Sequence, residues 1–111
     1  RRVDKQALPA RQRVLDVLNM HFPGQWEYTG DGRTVLGGMK PDFLNVNGKK
    51  VVIEMFGDYW HGQRPRGWKE TELGRLMAWS FWGYKCLVIW EHELKDVSEK
   101  ELVRRIRRLV R

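Results

Sequence analysis

Residues 85–90, Lys-Cys-Leu-Val-Ile-Trp, place five apolar side chains in a row. A run without polar alternation reads as a strand buried on both faces, which needs a covering layer on each side. Residues 50–56, Lys-Val-Val-Ile-Glu-Met-Phe, form a second β-rich run. Asn47-Gly48 separates that run from residues 43–46, and this dipeptide is a strong hairpin signal. Residues 25–28 and 33–36 are candidates for a further short strand, giving two or three strands before the next helix. Residues 9–21 read as a helix, with Pro9 suited to a first turn and Val14, Leu15, Val17 and Leu18 on its apolar face. Residues 68–82 read as a helix ended by Gly83. Ser98-Glu99-Lys100-Glu101 matches a capping box opening a last helix, whose buried stripe is Leu102, Ile106 and Leu109. The order predicts an α/β domain with a mixed central sheet flanked by helices, α-β-β-β-α-β-α.

With 111 residues the chain supports one domain, 1–111. It begins with Arg1-Arg2 rather than Met, so we expect a piece of a longer protein. Its longest apolar run is too short for a membrane span. One cysteine, Cys86, excludes a disulfide framework and a multi-cysteine zinc cluster, and suits a reducing, cytoplasmic setting. The formal charge of +7 is unevenly spread. Residues 1–13 carry five basic and one acidic side chain, and residues 98–111 carry six and two, a net +4 at each end. Basic ends suit a polyanion, most often nucleic acid, or simply two solvated helix faces.

The middle of the chain is slightly acidic and holds Asp42, Glu54, Asp58 and His61 within twenty residues. Glu54 sits inside Val-Val-Ile-Glu-Met-Phe, where a carboxylate is costly without compensation. An isolated strand glutamate more often pairs with a lysine or faces solvent. With Asp42 before it and Asp58 and His61 after it, a divalent cation is the better reading. The register supplies a test. A two-residue Asn47-Gly48 turn pairs residues whose numbers sum to 95, which sends Asp42 and Glu54 to opposite faces. A metal site therefore predicts a three-residue loop, with pairs summing to 94, or a corrective bulge.

Pro41-Asp42, a hairpin and Glu54 together resemble the core of the PD-(D/E)XK nucleases. The run Pro41-Asp42-Phe43, then Gly57-Asp58-Tyr59-Trp60-His61, then residues 83–91 (Gly-Tyr-Lys-Cys-Leu-Val-Ile-Trp-Glu) is similar to the very-short-patch-repair endonucleases. It looks most like the phage homing endonucleases whose catalytic domain belongs to that group. The resemblance spans roughly residues 9–95. It implies a restriction-endonuclease-like core and Mg²⁺- (or Mn²⁺-) dependent hydrolysis of phosphodiester bonds in double-stranded DNA.

By that resemblance Asp42 is the central metal ligand, and Glu54 with the main-chain carbonyl of Met55 completes the shell. His61 matches the catalytic histidine that activates or orients water, a role its ordinary pKa near 6.5 suits. Glu72 would orient His61, and Asp58 would join the group. Two departures stand out. The (D/E)XK lysine position holds Phe56, and the glutamate of the first helix is matched by Gln12. No structural zinc is expected. Tyr59, Trp60 and Trp68, interleaved with Arg64, Arg66, Lys69 and Arg75, are the candidate DNA contacts. Trp79, Trp82 and Trp90 are assigned to the core. So small a domain is expected to draw specificity from a homodimer or from an additional DNA-binding domain. The competing readings are a non-catalytic nucleic-acid-binding domain that keeps the fold, and a protein-interaction domain with basic terminal helices.

Overall fold

The computed structural model describes residues 10–32, 34–57 and 67–111. In chain order they form α1 (Ala10–His21), β1 (Trp26–Tyr28), β2 (Phe43–Asn45), β3 (Val51–Phe56), α2 (Glu72–Phe81), β4 (Lys85–Trp90) and α3 (Glu99–Leu109). Short 3-10 turns at Trp68–Glu70 and Glu91–Lys95 lead into α2 and towards α3. The four strands make one mixed sheet in the order β1-β2-β3-β4. β1 and β2 are antiparallel, β2 and β3 are antiparallel, and β3 and β4 are parallel. A parallel pair needs a crossover, and α2 supplies it.

Alternating side chains of β3 sort the core into two layers. Phe43, Val51 and Ile53 pack with Val14, Leu18, Leu102 and Ile106, so α1 and α3 cover one face. Val52 packs with Met39, Ala78 and Trp79, so α2 covers the other. Helix α3 forms as its capping signal predicts, with the Ser98 hydroxyl accepting from the Glu101 amide. Among the described residues no helix is long and apolar enough to cross a membrane.

The hairpin differs from both expected loops. Phe43 pairs with Ile53 and Leu44 with Val52, so pair numbers sum to 96. The link between β2 and β3 is the five residues from Val46 to Lys50. Asn45 explains it: its side-chain oxygen accepts from the amides of Asn47 (2.9 Å) and Lys49 (3.2 Å), building a wider turn than Asn47-Gly48 alone. Gly48 takes a φ of 88°, which suits glycine. The sum is still even. One step beyond the observed pairs, Asp42 comes opposite Glu54.

Four further expectations are corrected. The strand expected over residues 33–36 is absent among the described residues there. Instead Leu36 and Met39 form a single bridge around Gly37 and Gly38, both at positive φ, which is a two-residue turn of its own. β4 is one of the sheet's two edge strands, with a neighbour on one side only, and of its residues only Val88 and Ile89 are buried. Trp79 is fully buried as expected, but Trp82 is about half exposed (52%) where it lies over Gly37, and Trp90 is only partly buried. The helix expected over residues 68–82 breaks at Thr71, whose extended backbone lets its hydroxyl accept from the Gly74 amide.

Gly74 is what seats that break. A Cβ there would lie 1.8 Å from the Trp68 carbonyl oxygen. Gly74→Ala is therefore expected to destabilise by about 1–3 kcal/mol through overpacking, although alanine is the better helix former by about 1 kcal/mol. Thermal unfolding checks this; a stabilised variant would show that the 3-10 turn moves aside freely.

Candidate active site

The even register and the corner before β2 bring Asp42 to Glu54. Thr29 anchors that corner: its amide donates to the Asp42 carbonyl (2.8 Å) and its hydroxyl to the Pro41 carbonyl (2.8 Å). The Asp42 carboxylate then accepts from the Met55 amide at 2.8 Å. Asp42, Glu54 and Met55 line one cleft of about 410 Å³ together with Lys40, Lys69, Glu70 and Arg75. The three residues expected to hold metal thus share one cavity.

Glu54 is 3% exposed. Its Oε2 accepts from Arg75 Nη1 at 2.6 Å and from the Trp79 indole at 2.9 Å. Burial pushes its carboxyl above the ordinary value of 4.5; the Arg75 charge and both hydrogen bonds oppose that rise, and the Asp42 charge adds to it. Arg75 is placed to do this because its Nε donates to the Lys69 carbonyl (2.8 Å) and its guanidinium lies over Phe56 at 5.9 Å. The structure thus gives Arg75 a task that the sequence did not indicate: it pairs with Glu54 and orients it.

A carboxyl whose folded pKa is raised stabilises the fold below about pH 4.5 and loses that contribution as pH rises through the folded value. In a chelator, the thermal midpoint of the wild type minus that of Glu54→Gln is expected to shrink from pH 4 to pH 7. A difference that grows with pH would mean that the Arg75 charge outweighs burial.

Other expected site residues separate. Gln12 is exposed, and its amide donates to Asp16 at 2.9 Å, one turn along α1. Glu72 accepts from the Trp90 indole at 2.5 Å. Trp68 and Lys69 are exposed on the 3-10 turn before α2, and Lys69 lines the cleft. Phe56, at the lysine position, is buried and packs edge-on against Trp90 at 5.2 Å. Asp58, Tyr59, Trp60, His61, Arg64 and Arg66 lie outside the described residues.

The carboxy-terminal basic stripe lies apart from the cleft. α3 lies on the face away from α2, and Lys85 Nζ donates to the Arg111 carbonyl (3.3 Å) beside the start of β4. The cleft lies towards the other end of β3. The cations that line it include Lys40, which stands next to Pro41-Asp42 and carried no periodicity to single it out. Arg11 lines a second cleft of about 330 Å³ on the α1 side, with Asp42, Met55, Phe56, Gly57 and Glu91.

Among the described residues no three His, Cys, Asp or Glu side chains form a group that could hold a metal ion. The two carboxylates still fit Mg²⁺, which is commonly held by one or two carboxylates plus water and substrate phosphate. The cleft is wide enough to leave room for both. Together fold and site define a mixed α/β domain with paired carboxylates in a cation-rimmed cleft at the C-terminal end of its central strand. Comparison with protein-family models, curated proteins and solved structures finds no match to this chain.

Proposed function

We propose that this domain is a metal-dependent endonuclease that hydrolyses phosphodiester bonds of double-stranded DNA on a restriction-endonuclease-like core. The observation that carries the reading is the register, which sets Asp42 opposite Glu54 in one cleft lined by Lys40 and Lys69. Asp42, Glu54 and the Met55 main chain are the residues that would hold Mg²⁺. Bound there, the ion supplies charge neutralisation at the scissile phosphate and a more acidic water.

The chain's own groups do the positioning. Arg75 and Trp79 hold the Glu54 carboxylate through Oε2, so Oε1 is the oxygen left for the cleft. The Met55 amide holds Asp42. Lys40 and Lys69 draw the phosphate backbone in, a role that needs charge more than exact geometry. His61 remains the proposed residue that orients the water, by resemblance to the patch-repair enzymes. As in those relatives of the motif, Tyr59 and Trp60 are proposed to contact the duplex, which would be the partner of a cytoplasmic protein that a second copy or further domain completes.

One observation favours a second reading, a non-catalytic nucleic-acid-binding domain. The Arg75 ion pair already compensates Glu54, and neither Phe56 nor Gln12 supplies the group expected at its position. Plasmid nicking in Mg²⁺ or Mn²⁺, compared with chelator, separates the two. Nicking that requires the cation supports the endonuclease. Salt-dependent duplex binding without nicking supports the binding domain and ends the catalytic proposal.

A further inference from the structure

The two clefts share Asp42, Met55 and Phe56, so they are two arms of one groove that meets at Asp42. One arm carries Lys40, Lys69 and Arg75. Among the described residues the cation of the other is Arg11, in the first turn of α1. We propose that Arg11 forms a second phosphate subsite, so that a bound strand crosses Asp42 with one phosphate near Lys69 and another at Arg11. This rests on the phosphodiesterase reading and extends it: the groove accepts an internal phosphodiester bond, with backbone on both sides of the scissile phosphate.

Arg11 is held for that task. Its Nη1 donates to the Tyr28 hydroxyl at 2.6 Å, and its guanidinium lies over the Tyr28 ring at 5.6 Å. Tyr28 is itself set edge-on against Phe43 (5.6 Å), the residue after Asp42. The guanidinium is thus tied to the strand that bears the carboxylate. Two acids, Asp42 and Glu91, line the same arm, yet the hydrogen bond Arg11 makes goes to a neutral phenol. That bond uses Nη1 and leaves the other guanidinium N–H groups as donors for a phosphate, which guanidinium recognises through two parallel hydrogen bonds.

The test is duplex binding by fluorescence anisotropy across a salt series, in chelator, with the chain as it exists. Arg11→Ala is expected to weaken binding about 5-fold at low salt and to reduce the slope of log K against log salt by about 1, the loss of one phosphate contact. Arg11→Lys should retain the slope and lose affinity, since a lysine is a point charge without the fork. Arg108→Ala, the same charge removed from the exposed face of α3, should leave the slope unchanged. A wild type that fails to bind duplex, an Arg11→Ala slope equal to the wild type, or an equal fall for Arg108→Ala would overturn the subsite. An Arg11-dependent slope in a chain that never nicks supports the subsite and removes only the catalytic reading. Nicking that Arg11→Ala leaves unaltered, with an unaltered slope, removes only the subsite.

Discussion

Asp42→Asn is expected to lower cation-dependent nicking of plasmid DNA by about 10³-fold or more while leaving the domain folded. Removing one carboxylate from a metal-holding pair removes charge stabilisation worth several kcal/mol, and about 1.4 kcal/mol corresponds to tenfold in rate. The structural cost is small. Asp42 accepts a hydrogen bond from the Met55 amide, and an asparagine side-chain oxygen can accept the same bond. The change is expected to cost about 1–2 kcal/mol of stability, read as a shift of several degrees in the thermal midpoint of a domain that still folds. Circular dichroism and nicking measured on the same preparation check both halves. A folded Asp42→Asn variant that nicks like the wild type would remove Asp42 from the site.

Trp79→Ala has the largest expected effect on folding. The indole is fully buried between α2 and the sheet, edge-on to Tyr84 at 5.6 Å, and it donates to Glu54. The truncation leaves a cavity and deprives a buried carboxylate of a donor. Large aromatic truncations in a core cost about 3–5 kcal/mol, against about 5–15 kcal/mol for the whole stability of a domain. Trp79→Phe separates the two contributions, because it keeps most of the volume and removes the N–H. It should cost about 1–3 kcal/mol, the usual penalty for an unsatisfied buried polar group. Chemical denaturation at neutral pH measures both. Equal losses for the two variants would mean that the hydrogen bond, and not the packing, dominates.

These two expectations differ in how much of each was legible in the chain. Asp42 stands beside Pro41 before a hairpin signal, and Glu54 is conspicuous as the one carboxylate in an apolar run. Parity alone stated what a shared site required of the hairpin. The link that satisfied it was not legible, because it depends on the Asn45 side chain replacing main-chain turn contacts two and four residues away. The partner of Glu54 was less legible still. Arg75 and Trp79 lie 21 and 25 residues along the chain, and no local pattern marks them as its donors. Trp82 misled for a related reason: an aromatic at the end of a helix looks like core until the edge of the sheet is known.

The sequence by itself determined the order of helices and strands and the identity of the two central carboxylates. Those follow from hydrophobic period, turn chemistry and capping, which act over a few neighbouring residues. Only the tertiary structure decided that Arg75 compensates Glu54, and that Arg11 and Lys69 line clefts that share Asp42. Each of these depends on where separate elements meet across the sheet, and the charge of a side chain carries no record of which distant partner it will face.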